Sequence, residues 1–104
     1  MYTHVTVEIR YGMTAQFMEA MAKIVAIVTA QCGWELREAL MQVDGRLHTI
    51  RHIWKMRDMN HYLEGAAFLQ AHPDFPAISE QLSAVVDQEH IAFAVPTPYS
   101  PSFG

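Results

Sequence analysis

A single cysteine, Cys32, rules out a disulfide framework and a paired-thiol metal site, and reads as a buried structural thiol near a helix end. Basic residues are also scarce: seven Lys and Arg against eleven Asp and Glu give a net charge of −4, with no basic cluster. Phosphate neutralisation needs a basic patch, so this balance argues against nucleic acid as a partner. No basic segment precedes an apolar stretch of the signal-peptide kind. The longest apolar region, residues 14–31, is interrupted by Gln16, Glu19, Lys23 and Gln31, so it predicts a core helix and no membrane partner. A cytoplasmic address is the default expectation. Charge is thin altogether: 17% of the 104 residues are charged and 51% are hydrophobic, which is little for a small monomer that must wet its whole surface. The shortfall predicts a second buried surface, most simply that of a homodimer.

Hydrophobic periodicity supplies the elements. Tyr2 to Tyr11 alternates, with Val5, Val7, Ile9 and Tyr11 on one side and His4, Thr6, Glu8 and Arg10 on the other, which predicts a strand. Gly12 turns the chain, and Thr14 is the expected cap of a helix to about Gln31 whose stripe is Phe17, Met21, Ile24, Val25 and Val28. Gly33 stops that helix, and Trp34 to Val43 reads as a second strand. Asp44-Gly45 predicts a two-residue type I′ hairpin. With Val43 opposite Arg46, that turn sets Met41 against His48, Ala39 against Ile50, Glu38 against Arg51, Arg37 against His52 and Glu35 against Trp54. The strand His48 to Met56 is the expected centre of the sheet, with His48, Ile50, His52, Trp54 and Met56 on one face. Asp58 caps the next helix, His72-Pro73 ends it, and Pro76 opens a third. His90 to Val95 closes the sheet. Residues 1–95 form one domain and 96–104 a proline-rich extended tail. The fold class is α+β, a ferredoxin-like βαββααβ plan with four antiparallel strands and helices on one face. Two such bare faces, paired, make a dimeric α/β barrel.

The segments Glu8-x-Arg10-Tyr11, His52-Ile53-Trp54, Pro73-Asp74-Phe75 and Val95-Pro96-Thr97-Pro98-Tyr99-Ser100-Pro101 together resemble the NIPSNAP branch of the dimeric α/β-barrel superfamily, over nearly the whole chain. The resemblance implies a ferredoxin-like protomer, dimerisation, and a pocket between sheet and helices. It implies no particular reaction, since the wider superfamily includes cofactor-independent quinone-forming monooxygenases, haem-degrading oxygenases, isomerases and polyketide cyclases. In a sheet like that of its relatives, Trp54 faces the helices and brings His52, Arg37, Glu35 and Met41 with it, alongside Tyr11. Glu8, Arg10, Glu38 and Arg51 fall on the barrel side, where they read as a structural network at the dimer seam.

The helix-side group is the candidate site. Arg37 would hold a carboxylate or phenolate, Trp54 would offer a flat wall, and His52 would move a proton, with His72 as a second proton-transfer candidate. Tyr11, Glu35 and Met41 complete the expected substrate contacts. His48 and His52 lie about 13 Å apart at strand rise and cannot chelate one ion. His61 and Glu64 find no second pair, so no metal is expected. Haem stays open because one axial histidine suffices, but no cofactor is expected. Two functions remain. One is a small cofactor-independent enzyme of secondary or catabolic metabolism, a monooxygenase, isomerase, cyclase or lyase acting by proton transfer on an aromatic or apolar oxygenated molecule. The alternative is a non-catalytic small-molecule-binding or protein-interaction module of the NIPSNAP type.

Overall fold

The computed structural model describes residues 1–45 and 47–101. The order is β1 (Tyr2–Ile9), α1 (Thr14–Gln31), β2 (Glu35–Met41), β3 (Thr49–Lys55), α2 (Met59–Ala71), α3 (Phe75–Ser83) and β4 (Val86–Ala94). The strands make one antiparallel sheet in the order β2-β3-β1-β4, so β1 and β3 are central and β2 and β4 are edges. This is the ferredoxin-like α+β plan that the periodicity predicts. Among the described residues no helix is long and apolar enough to cross a membrane.

Alternation decides which face is covered. On β1, Thr3, Val7 and Ile9 are buried under the helices and His4 is exposed; on β3, Ile50, His52 and Trp54 are buried while Arg51 and Lys55 face outward. α1 answers with Phe17, Ala20, Ile24, Ile27 and Val28, whose spacing of three and four residues makes one apolar stripe. The core has two halves. One gathers Val28, Trp34, Trp54, Met56 and Ile78, the other Val7, Ile9, Phe17, Ile50 and Val85. His52 sits at their junction, its ring centroid 6.4 Å from Phe17 on one side and 6.4 Å from Trp54 on the other.

The caps show local chemistry at work. Asp58 Oδ1 accepts the His61 N–H at 2.9 Å and starts α2 as expected. Thr14 does not cap α1: it is already helical, Met13 is the N-cap, and no side chain bonds the end of the helix. The buried His61 locks α2 to the end of α1, since its Nδ1 accepts the Arg57 N–H at 3.1 Å and its Nε2 lies 2.7 Å from the Cys32 carbonyl. With Nδ1 accepting, the proton resides on Nε2, which donates to that carbonyl. Cys32 itself is half-buried at the C-cap of α1, and desolvation pushes its thiol pKa up.

β4 begins at Val86 and not at His90. Val85 is buried against the second half of the core, which draws the chain into the sheet early. The Arg10 N–H donates to the Val85 carbonyl at 2.8 Å, and the Arg10 side chain reaches Asp87 at 3.1 Å. Polar Asp87, Gln88 and Glu89 are tolerated there because an edge strand stays wet.

The hairpin register also differs from the sequence expectation. Met41 pairs with Ile50, Leu40 with Arg51, Ala39 with His52 and Glu38 with Ile53, two positions away from the alignment a two-residue turn would impose. Gln42 N–H donates to the Thr49 carbonyl at 3.0 Å, so the connection beyond it is longer than Asp44-Gly45. The expected Val43 to Arg46 pairing falls outside the described residues. A shift of two keeps each side chain on its face. A bulge at Arg37 then reverses the face, pairing Leu36 with Trp54 and Glu35 with Lys55. Burial explains the outcome: without the bulge Arg37 would enter the core beside Trp54 and Glu35 beside Met56, and unpaired buried charges are far costlier than one irregular ladder position. The Glu38/Arg51 pair goes with the old register; Arg51 Nη2 instead reaches Gln42 Oε1 at 3.4 Å. The expected barrel-side network is rearranged too, with Arg10 engaged by Asp87 and the Ala84 carbonyl.

Candidate functional site

α1 and the β2–β3 pair do not close fully on each other. Between them lies a cavity of about 180 Å³, lined by Phe17, Met18, Met21, Ala22 and Val25 from α1 and by Leu36, Ala39, Leu40, Met41, Ile50 and His52 from the sheet. Phe17, Ile50 and His52, each at most 5% exposed, form its floor. Met18 and Met41, 49% and 53% exposed, stand at its rim. His52 is the one polar side chain in this apolar lining. Its Nδ1 is buried and has no hydrogen-bond partner among the described residues. A buried polar atom left unsatisfied costs about 1–3 kcal/mol and calls for an occupant or a function. Burial also lowers the His52 pKa below its usual 6.5, which keeps the imidazole neutral and able to accept a proton at neutral pH.

The other residues singled out from the sequence lie elsewhere. Trp54 shares the His52 face but is packed in the core, edge-on to Trp34 at 5.7 Å. Arg37 is carried away by the bulge and lies 3.8 Å from the Glu35 carboxylate, outside the cavity lining. Glu35 is exposed on the opposite face, beside Lys55. Tyr11, expected under the helices, is 88% exposed in the turn after β1, its ring against His48 at 5.1 Å. His72 closes α2 and accepts the Asp74 N–H on Nδ1 at 3.1 Å, again away from the lining. Only His52 and Met41 of that group meet at the cavity. The α1 residues of the lining read from the sequence as plain core. A usable signal was the pair Met18 and Met21, flexible side chains on a helix already supplied with a sufficient branched stripe. Among the described residues no group of three or more His, Cys, Asp or Glu could hold a metal ion.

A larger open cleft of about 600 Å³ runs along the sheet end between Glu8, His48, Asp87 and Gln88. Its walls mix polar and apolar surface and Asp87 is committed to Arg10, so it lacks the sheltered, unpaired group that marks the smaller cavity.

Comparison with known proteins agrees with this architecture. A family model described as NIPSNAP matches residues 2–101. A NIPSNAP family protein from Agrobacterium tumefaciens superposes with a TM-score of 0.86 at 20% identity, covering 96% of this chain and 95% of that one. An uncharacterized NIPSNAP domain protein from Burkholderia xenovorans gives 0.83 at 22% identity, covering 98% and 100%. SnoaB, a cofactor-independent oxygenase from Streptomyces nogalater, gives 0.65 at 18% identity, covering 95% of each. No curated protein matches. At such identities the solved structures share the fold with this chain.

Proposed function

The chain belongs to the NIPSNAP family, and from that premise we propose that it is a small cofactor-independent enzyme acting by proton transfer on an aromatic or apolar oxygenated molecule. The observation that carries the reading is His52: a neutral imidazole that lines an apolar cavity and whose Nδ1 is buried without a hydrogen-bond partner among the described residues. Such a base takes a proton from an acidic O–H or C–H of the bound molecule, leaving an imidazolium beside the new anion. The two charges arise together, so neither is left alone in a medium of low dielectric. Oxygenation, isomerisation, cyclisation and carbon–carbon cleavage all begin from such an anion. A neighbour of the same fold is a cofactor-independent oxygenase, and that analogy of fold supports the reading.

The test is turnover of a panel of phenols and β-dicarbonyls by the wild type, His52→Ala and His52→Gln. A general base contributes about 100-fold or more, so both variants are expected to lose that much in kcat. Unchanged turnover in the variants removes His52 from the mechanism. One observation favours the alternative, a binding module without chemistry: Arg37, the expected stabiliser of developing charge, does not reach the cavity. Tight binding without turnover in the wild type would select that reading. The proposal includes a homodimer formed through the uncovered sheet face, on which Ile53 stands among polar neighbours. The thin charge of the whole sequence supports it.

A further inference from the structure

Resting on His52 as the proton acceptor, we infer that the cavity takes its ligand uncharged: a one-ring compound with a neutral hydroxyl or enol, held ring-up and hydroxyl-down. The lining supplies the argument. Its walls are aliphatic, aromatic or thioether side chains, and its single polar group is a neutral imidazole. Among the described residues no lysine or arginine lines it, and Arg37 is already engaged beside Glu35. A carboxylate or phosphate entering here would shed its water and meet no countercharge, which costs more than one hydrogen bond to histidine returns. A neutral O–H loses far less and can pair with the imidazole, the polar side chain of the lining.

Volume sets the size. A dry protein cavity of about 150 Å³ holds benzene, so about 180 Å³ accommodates one six-membered ring with a hydroxyl, and a larger ring system would have to stand out past the rim. Orientation follows from burial. The imidazole is on the floor and the exposed Met18 and Met41 are at the rim, so the hydroxyl points inward and an apolar substituent opposite it runs out between the two methionines.

The experiment compares 4-methylphenol, toluene, 4-methylbenzoate and 2-naphthol by NMR titration at neutral pH, reading backbone amides and the His52 ring nitrogens. The phenol should bind at least about tenfold more tightly than toluene or the benzoate, and shift the His52 nitrogens. In His52→Leu the phenol should fall to the level of toluene. Met41→Trp, at an exposed position that does not threaten folding, should block every ring. Equal or tighter binding of the benzoate or the naphthol overturns the inference, as does failure of the phenol to bind at millimolar concentration. The two proposals separate cleanly: a phenol that binds at His52 without being turned over leaves the ligand class standing and ends the enzymatic reading, whereas a benzoate that is bound and turned over does the reverse.

Discussion

A β-carbon added at Gly65 on α2 would run into the indole of Trp34. That ring cannot give way: it is stacked on Tyr62 at 5.6 Å, meets Trp54 edge-on at 5.7 Å, and donates its Nε1 hydrogen to the His61 carbonyl at 3.3 Å. Helix propensity alone would make Gly65→Ala stabilising by about 1 kcal/mol. Overpacking against a fixed ring outweighs it, so the expected result is a net loss of about 2 kcal/mol in denaturant unfolding. A gain would mean the indole is free to move. His52 provides a second expectation. Its folded pKa lies below the 6.5 of an unfolded chain, so the unfolded state binds a proton that the folded state does not. Its share of stability is complete above pH 6.5 and is lost as pH falls through the folded value. Unfolding free energy should therefore drop less between about pH 7.5 and pH 5 in His52→Leu than in the wild type. Equal drops would show that the imidazole is not held neutral by burial.

Among the elements, β2 shows how one residue redistributes chemistry. Removing Arg37 would leave an even ladder with Leu36 still opposite Trp54 and Glu35 still opposite Lys55. Burial on both faces is then unchanged, so the deletion is expected to move the unfolding midpoint little. A sharp fall would say that the bulge itself, and not the placement of Leu36 and Glu35, holds the edge strand. The same bulge explains what the sequence could and could not convey. Element order, the Asp58 cap and the shared face of His52 and Trp54 were legible, because alternation and helix stops are local signals; that this face meets the helices came from the family resemblance. Arg37 was misplaced because Asp44-Gly45 is also a local signal, and it lost to a requirement spread over the core: Leu36 inside, Glu35 outside. The cavity was hidden for a related reason, since a gap between packed elements has no signature in the spacing of either one.

For the molecule as a whole, the helices cover one side of the sheet and leave the other open. Ile53 stands on that open side at the centre of β3, between Thr49–Lys55 neighbours that are charged at Arg51 and Lys55. Ile53→Asp should leave the fold intact and weaken self-association by about 100-fold or more, read by sedimentation at micromolar concentration. A wild type that sediments as a monomer there would end the dimeric proposal. β4 carries a related consequence. It is nine residues long, exposed along nearly all of its length, and proline appears only after it ends, at Pro96. Its outer row of amide hydrogens and carbonyl oxygens is a template for a stray strand, blunted at one end by the irregularity at Asp87 and by the charges of Asp87 and Glu89. Ile91 to Ala94 lie beyond both, so fibrous stacking on heating should start from that half of the border and grow with concentration.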